Sequence, residues 1–253
     1  MLKFLRSPPA LAQSLLLAIL LALFAGNVFA QSHPRTYAIG VEDVDYPPIF
    51  SIQQGTFTGY SRDLLDLFAR HESIHFVYRP FPIRRLMKEY EKGHVDGIFP
   101  DNPKWDSADK KRFKVHYSAP ALTFQDAIMV QADRVGQPMQ SLGIIIGFQP
   151  WKFMDDIEAG RIRVSNAPGA VSLLQMVLNG RVDGGNVALQ VARYHLARLG
   201  KLHALQPDPK LMPLVNSHYH LSSVRYPELI KSFDKFLLKE HIAVKALQQK
   251  YGF

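Results

Sequence analysis

The residues best suited to catalysis are scattered along this sequence rather than grouped into a known motif. There is no cysteine, which excludes a thiol nucleophile, a disulfide framework and a cysteine-ligated zinc or iron–sulfur site. There is also no Gly-x-Ser-x-Gly elbow, no paired-histidine zinc helix and no glycine-rich dinucleotide fingerprint. We therefore predict that the protein is not an enzyme, with no catalytic residue and no cofactor.

Two histidines come closest to a metal-site pattern. His218 and His220 would share one face of a strand, because side chains alternate with a period of two. Two such ligands can begin a metal site, but the sequence offers no evident third. We predict that they are ordinary strand residues and that no metal is bound.

Aromatic and basic side chains indicate binding rather than catalysis. Tyr46, Trp105 and Phe148 are predicted in loops or at the starts of elements, where aromatic rings often form ligand walls, although core packing explains Phe148 equally well. Basic residues concentrate in segment 104–114, and one of them facing a cleft would bind a carboxylate. Arg84 is predicted in the first turn of a helix, where a cation is mildly unfavourable, so either a surface partner or a ligand is expected.

The first thirty residues read as a secretory signal peptide. A short basic start is followed by an apolar run from Ala10 to Ala25 and by small residues before a cleavage site after Ala30. A retained membrane anchor is the alternative, but the uninterrupted run is short for a bilayer span of about 20 residues. We predict cleavage, and a mature protein in the periplasm that is not inserted in the membrane.

The basic charge first suggests nucleic acid as a partner. The formal net charge is +8, and cleavage after Ala30 would remove Lys3 and Arg6, leaving a smaller excess of basic residues. Export makes nucleic acid an improbable partner, so we predict none. The 47% hydrophobic composition is typical of a globular protein.

Strand-like and helix-like segments alternate along the mature chain, which predicts a parallel α/β sheet. Strands are predicted near 36–41, 75–78, 95–99 and 142–146. Helices are predicted after Ser61, which can act as an N-cap, after Pro82, at 170–178 and from Val187, and a loop is predicted around Pro207. Residues 86–97 and 173–184 repeat one pattern: apolar helix residues, a glycine, one exposed residue, then Val-Asp-Gly. Although any helix-to-strand junction can use glycine in this way, the full match favours two similar α/β lobes.

The motifs together resemble a known family. They are Asp45-Tyr46-Pro47-Pro48, Gly59-Tyr60-x-x-Asp63-Leu64-Leu65, Pro82-x-Arg84-x-Leu86, Gly93-x-Val95-Asp96-Gly97, Arg112-Phe113-x-x-x-Tyr117-Ser118-x-Pro120, Gly180-x-Val182-Asp183-Gly184 and a final Lys250-Tyr251-Gly252-Phe253. In this order they resemble family 3 of the periplasmic solute-binding proteins, the amino-acid type that serves ABC transporters, in a divergent branch.

The resemblance implies a two-lobed type II periplasmic-binding-protein fold with a hinge of two crossing strands. In family terms, residues 31–125 would form the first part of lobe 1, residues 126–219 would form lobe 2, and residues 220–253 would return to lobe 1.

The resemblance also implies ligand-binding residues. Tyr46 would stack on the ligand, and Lys111, with Arg112 beside it, would replace the usual arginine that binds an α-carboxylate. Phe148 would stand where amino-acid binders place a small hydroxyl residue. Asn186 would stand where the family has the acid that binds the α-ammonium. With Arg84 and Trp105, these residues form the predicted site.

The function that follows is capture of a small polar metabolite, amino-acid-like or carboxylate-bearing, by lobe closure. The expected partners are this ligand and an ABC permease or a sensor protein, and a monomer is expected. Two alternatives stay open at this point: a periplasmic dehydratase-like enzyme on the same fold, with Glu42, Asp45 or His116 as candidate catalytic groups, and an orphan sensory or accessory binding protein.

Overall fold

A computed structural model describes residues 34–105 and 114–253, so the predicted signal peptide lies outside the described residues. The strands are β1 (Thr36–Glu42), β2 (Ser51–Gln53), β3 (Thr56–Thr58), β4 (His75–Phe81), β5 (Gly97–Asp101), β6 (His116–Tyr117), β7 (Leu122–Gln131), β8 (Ser141–Ile145), β9 (Arg163–Ala167), β10 (Gly184–Ala188), β11 (Leu205–Pro207) and β12 (Asn216–Ser223). The helices are α1 (Tyr60–Glu72), α2 (Ile83–Glu91), α3 (Met154–Glu158), α4 (Ala170–Leu178), α5 (Leu189–Arg198), α6 (Pro227–Lys239) and α7 (His241–Lys250).

Strands β7 and β12 join the two halves of the molecule. The strand order is β4-β1-β5-β12-β7-β10-β8-β9, with β6 beside β12 and β11 beside β7. Strands β7 and β12 run antiparallel and pair through residues 122–125 and 216–219. We call the half with β1, β4 and β5 the first lobe and the half with β8, β9, β10 and β11 the second lobe. The predicted fold with two crossing strands is confirmed; the lobe boundaries after 125 and 219 fall inside these strands and remain predictions.

Each lobe has a parallel core, as predicted, but the sheet as a whole is mixed. In the first lobe β1 is parallel to β4 and β5, and in the second lobe β8 is parallel to β9 and β10. The crossing strands are antiparallel to their neighbours β5 and β10. Helical crossovers produce the parallel pairs, whereas β7 and β12 carry the chain directly from one lobe to the other and back.

The internal repeat seen in the sequence is also a repeat in packing. A Cβ on Gly40 of β1 would lie 2.5 Å from Leu86 Cδ1, and a Cβ on Gly143 of β8 would lie 2.5 Å from Leu173 Cδ1. A strand glycine therefore lets a helix approach closely in each lobe, α2 in the first lobe and α4 in the second. Helices α2 and α4 both end before a glycine with a positive φ, Gly93 and Gly180.

The aspartates of the two Val-Asp-Gly motifs make equivalent contacts. The Asp96 carboxylate accepts a 2.8 Å hydrogen bond from the backbone N–H of Ala38. The Asp183 carboxylate accepts one of 2.9 Å from the backbone N–H of Ser141. Each carboxylate also forms an ion pair with an arginine from another part of the chain. The repeated sequence thus anchors β1 and β8 in the same way, which supports the interpretation of two similar lobes.

An aromatic core holds the helices of the first lobe together. The rings of Phe68 in α1 and Phe233 in α6 are fully buried and lie 5.0 Å apart in an edge-to-face arrangement. Tyr60 is also buried and donates a 2.7 Å hydrogen bond to the carbonyl of Ala121, just before β7. Burial of such side chains contributes about 1.5–3 kcal/mol each, so the chain entering β7 is tied to a stable core.

Three local predictions are wrong. Ser61 is not a helix cap, because α1 begins at Tyr60 with Gly59 as its N-cap residue. Gly59 has φ +96°, and a Cβ at this position would lie 2.9 Å from the Ile49 carbonyl oxygen, so the tight entry requires glycine there. Val187 belongs to β10 and not to a helix, in keeping with its β-branched side chain. Pro207, expected in a loop, ends β11, which pairs with β7.

Within residues 34–105 and 114–253, no helix combines the length and the apolar character needed to span a bilayer.

Candidate functional site

Tyr46 connects the two lobes at the point where the crossing strands meet them. It follows β1 in the first lobe and is only 2% exposed. Its hydroxyl accepts a 2.7 Å hydrogen bond from the backbone N–H of Ala188, the last residue of β10 in the second lobe. Its ring lies edge-to-face on Phe148, with centroids 5.3 Å apart. The structure therefore brings two of the predicted site residues, Tyr46 and Phe148, into direct contact.

Tight backbone turns fix both rings. Residues 46–50 form a closed turn in which the Tyr46 N–H donates to the Phe50 carbonyl at 3.0 Å. Phe148 follows Gly147, whose φ is +93°, and its N–H donates to the Ile145 carbonyl at 2.9 Å. Because glycine adopts this left-handed conformation without steric cost, the chain can turn sharply after β8 and present Phe148 toward the first lobe.

The start of α2 makes a second contact between the lobes. A Cβ on Gly147 would lie 3.0 Å from the Cβ of Ile83, the first residue of α2. The next residue, Arg84, is exposed and lines a surface recess formed by residues of α2 together with Lys92. Arg84 thus faces a basic recess on the outside of α2, and its predicted ligand contact stays a prediction.

Trp105 belongs to an aromatic group on β12 and β7. Its ring lies edge-to-face on Tyr219 with centroids 5.7 Å apart, and the opposite neighbour of Tyr219 is Phe124, stacked at 4.0 Å. The loop before Trp105 is attached to β12 because the Asn102 side chain donates a 2.9 Å hydrogen bond to the His218 carbonyl. This aromatic group therefore includes Tyr219, which was not predicted, beside Trp105, whose contact with a ligand stays a prediction.

A carboxylate lies at the same crossing. Asp126 of β7 pairs in register with Ala188, the residue that donates to Tyr46. Burial raises the pKa of the Asp126 carboxyl to about 6. Burial also raises the pKa of Tyr46 and of Tyr219 well above the usual value for a phenol, and the negative charges of Asp126 and Glu42 raise both further. The charge of Asp126 is therefore close to both phenol groups.

Asn186, predicted at the position of the family's acid, does not supply a charge here. It lies on β10 opposite Ile128 of β7, and its side-chain amide donates a 3.3 Å hydrogen bond to the backbone carbonyl of Ala127. The amide is thus engaged within the second lobe. Lys111 and Arg112 lie outside the described residues, and their roles stay predictions.

The predicted pair of strand histidines lies on β12. The rings of His218 and His220 are 6.4 Å apart. His218 Nδ1 lies 3.1 Å from Thr123 Oγ1, and His220 Nδ1 lies 2.7 Å from the Ser118 carbonyl oxygen. Among the described residues there is no group of three potential metal ligands.

Sequence reasoning missed Asp126 and Tyr219. Asp126 is the one charged residue of β7 and directly precedes its apolar run Ala-Ile-Met-Val, and a lone carboxylate in a largely buried strand is a signal that could have been noticed. Tyr219 alternates with the two histidines along β12. Because side chains in a strand alternate with a period of two, Tyr219 faces the side opposite to the histidines. This alternation could have identified Tyr219 as a residue with different neighbours from those of the histidines.

Comparison of the sequence with known protein families and with characterised proteins gives no match. Comparison of the structure with solved structures gives many matches. One is a histidine kinase sensor domain with similarity to periplasmic binding proteins, with a TM-score of 0.69, 19% identity, and coverage of 88% of this chain and 98% of the other.

Two further structures are binding proteins. A substrate-binding protein of an ABC uptake transporter from Streptococcus pneumoniae, solved with bound histidine, has a TM-score of 0.68 and 19% identity, covering 86% of this chain and 92% of its own. An ancestral amino-acid-binding protein, a precursor of cyclohexadienyl dehydratase, has a TM-score of 0.66 and 18% identity, covering 85% and 95%. At these identities the similarity shows the fold: the chain has the two-lobed fold of the periplasmic binding proteins.

Proposed function

We propose that this protein is a solute-binding protein that captures a small, polar, amino-acid-like metabolite between its lobes. The observation that carries the proposal is the contact of Tyr46 with Phe148 and with the Ala188 N–H. Tyr46, an aromatic residue of the first lobe, contacts the second lobe beside β7 and β12. Among the described residues, these are the only two strands that pair with each other between the lobes. Lobes connected in this way can change their relative angle while their own cores stay intact.

Ligand binding would act by closing the lobes. A solute that contacts both lobes gains its full interaction energy only when they are together, so it favours the closed arrangement. Tyr46 and Phe148 would provide the apolar walls around the solute, and backbone groups at the ends of β8 and β10 would provide hydrogen bonds, as is usual in small-molecule sites.

The proposed setting is the periplasm, reached through the predicted signal peptide, with an ABC permease as the partner that receives the solute. The substrate-binding protein of an uptake transporter among the similar structures supports this setting. The sensor domain of a histidine kinase has the same fold, so a sensory partner is the alternative. Co-purification of the protein with a membrane permease or with a sensor kinase would separate the two.

We also propose that the solute leaves the cleft chemically unchanged. A dehydratase-like activity is the second candidate, because the Asp126 carboxyl has a raised pKa of about 6, a property of many general acids. Incubation of the protein with each solute that it binds, followed by mass spectrometry, tests the point. Recovery of the solute alone is expected, and a product with the mass of the dehydrated solute would establish the enzyme.

A thermal-shift screen tests the binding function. We expect at least one amino acid, organic acid or polyamine to raise the melting midpoint, since saturation at a hundred times Kd stabilises a protein by about 2.7 kcal/mol. Phe148→Ala should reduce that shift at the same solute concentration. Trp151→Ala removes an aromatic ring that is 60% exposed, and it serves as the control that keeps the shift.

Two outcomes would count against the proposal in different ways. If no solute moves the midpoint, the protein is not a receptor for small metabolites. If a solute binds but Phe148→Ala and Trp151→Ala respond alike, the binding function stands and the Tyr46–Phe148 contact is not its site.

A further inference from the structure

Asp126 has a position in the fold from which a carboxylate can reach a solute between the lobes. It lies in β7, one of the two crossing strands, directly opposite Ala188 in the ladder. The Ala188 N–H is the group that hydrogen-bonds to the hydroxyl of Tyr46 across the lobes. Asp126 is therefore adjacent to the proposed binding site rather than on an outer surface of the second lobe.

The carboxylate of Asp126 lacks a counter-ion in the described part of the chain. No hydrogen bond or ion pair of its side chain occurs there, and the residue is only partly exposed. A partly buried carboxylate without a partner is unfavourable, and the rise of its pKa to about 6 is the expected consequence. This cost is the kind that a binding site carries until its ligand provides the opposite charge.

The surrounding side chains favour a cation over an anion. Asp126 lies two residues after Phe124 on the same face of β7, and Phe124 stacks at 4.0 Å on Tyr219. The charge of Asp126 acts on the phenols of both Tyr46 and Tyr219. Aromatic faces attract ammonium and guanidinium groups, so the rings and the carboxylate both favour a positively charged group.

The neighbouring strand offers no competing acid. Asn186 of β10 is neutral and is engaged with the Ala127 carbonyl. The sequence resemblance placed the partner of a solute ammonium near Asn186, and the structure offers a carboxylate one strand away instead. The carboxylate thus lies on β7 rather than on β10, near the end of the β7–β10 ladder.

We propose that Asp126 is the counter-ion for an ammonium or guanidinium group of the solute, and that the cleft therefore selects cationic or zwitterionic solutes over dianions. This inference rests on the proposed binding function, because it names the solute class and one specificity-determining residue of that same site. The solute group would sit against the carboxylate with the rings of Tyr46 and Tyr219 beside it.

Calorimetric titration of the purified protein with three probes tests the inference. The probes are L-arginine, which has a guanidinium and an ammonium group, putrescine, which is a dication, and succinate, which is a dianion. We expect L-arginine or putrescine to bind at least tenfold more tightly than succinate. Asp126→Asn keeps the side-chain shape and should weaken that binding at least tenfold.

A matched control removes a carboxylate elsewhere. Asp133 is exposed and follows the other end of β7, so Asp133→Asn should bind the cationic probe as the unmodified protein does. The melting midpoint of unliganded Asp126→Asn, which should not fall, shows that any loss of binding is not a loss of folding.

The outcomes separate the inference from the function on which it rests. Tighter binding of succinate, or equal affinity of Asp126→Asn and the unmodified protein for the cationic probe, overturns the inference and leaves a binding protein. If only uncharged solutes bind in the thermal-shift screen, the inference is likewise overturned and the binding function stands. Failure of every solute in that screen overturns the binding function and the inference together.

Discussion

The backbone N–H of Ala188 donates a 2.7 Å hydrogen bond to the hydroxyl of Tyr46, although the two residues are 142 positions apart in the chain. Ala188 ends β10 of the second lobe, and Tyr46 lies in a turn after β1 of the first lobe. The bond joins a backbone group to a side chain, so it depends on tyrosine at position 46 and on no particular side chain at position 188. It links a proposed binding residue of the first lobe directly to the backbone of the second lobe.

Removal of this hydroxyl should destabilise the protein. Tyr46→Phe keeps the ring contact with Phe148 but leaves the buried N–H of Ala188 without its partner, which costs about 1–3 kcal/mol. Urea unfolding measures the loss. Tyr37→Phe is the control, because Tyr37 is also buried and its hydroxyl makes no hydrogen bond within the described ranges. Equal losses in the two variants would show that the link between the lobes contributes nothing specific.

Stability should depend on pH through Asp126. Burial raises the pKa of its carboxyl from 3.8 to about 6 in the folded protein. Between about pH 4 and pH 6 the native state therefore binds more protons than the unfolded chain, and stability falls as the pH rises through this window. Above about pH 7 the penalty is complete. The other charged group that acts on the same phenols, Glu42, is present in both the variant and the unmodified protein.

The variant Asp126→Asn removes that penalty. Without ligand, it should be more stable than the unmodified protein by about 1–2 kcal/mol at pH 7.5, which is less than the shift in pKa alone would give because the group is partly exposed. The gain should shrink toward zero below pH 4. Urea unfolding at pH 4, 6 and 7.5 measures the difference, with Asp133→Asn as the control. A gain that does not change with pH would contradict the assignment.

The two packing glycines should respond alike to substitution. In Gly40→Ala and Gly143→Ala the new methyl group would lie 2.5 Å from a leucine Cδ1 of the adjacent helix. Overpacking of this kind costs about 1–3 kcal/mol. Thermal or urea unfolding measures the loss for each. Gly169→Ala is the control, because nothing lies within 4 Å of its added Cβ and φ at Gly169 is extended.

Similar losses in Gly40→Ala and Gly143→Ala, with a smaller one in Gly169→Ala, would establish that the repeated helix–strand unit packs in the same way in both lobes. A large loss in only one of them would show that the sequence repeat is not an energetic repeat.

Much of the fold could be predicted because it depends on local patterns. The helix over Ala170–Leu178 follows from the spacing of its apolar residues, and the Gly-x-Val-Asp-Gly motifs mark the junctions before β5 and β10 in both lobes. Strand β7 was missed, because the run from Leu122 to Gln131 alternates weakly and is bounded by no clear turn signal. Its identity as a strand depends on partners from both lobes, β10 and β12, and not on its own residues.

The proposed binding site was predictable only in part. Tyr46 and Phe148 could be named from the resemblance and from their positions after β1 and β8, but their contact depends on how the two lobes meet. Asp126 and Tyr219 were missed because their own segments do not show which distant residues surround them. A carboxylate acquires a raised pKa only when distant parts of the chain exclude water from it, and no local window of sequence contains those parts.

By itself, the sequence determined the α/β class, the internal repeat and the absence of cysteine chemistry, since these depend on residue types and on short-range spacing. The tertiary structure alone decided which residues from the two lobes meet: the hydrogen bond from Ala188 to Tyr46, the ring of Phe148 beside it, and the carboxylate of Asp126 on the crossing strand. Such contacts join residues far apart in the chain, and their geometry follows from the packing of whole lobes rather than from the preference of any one segment.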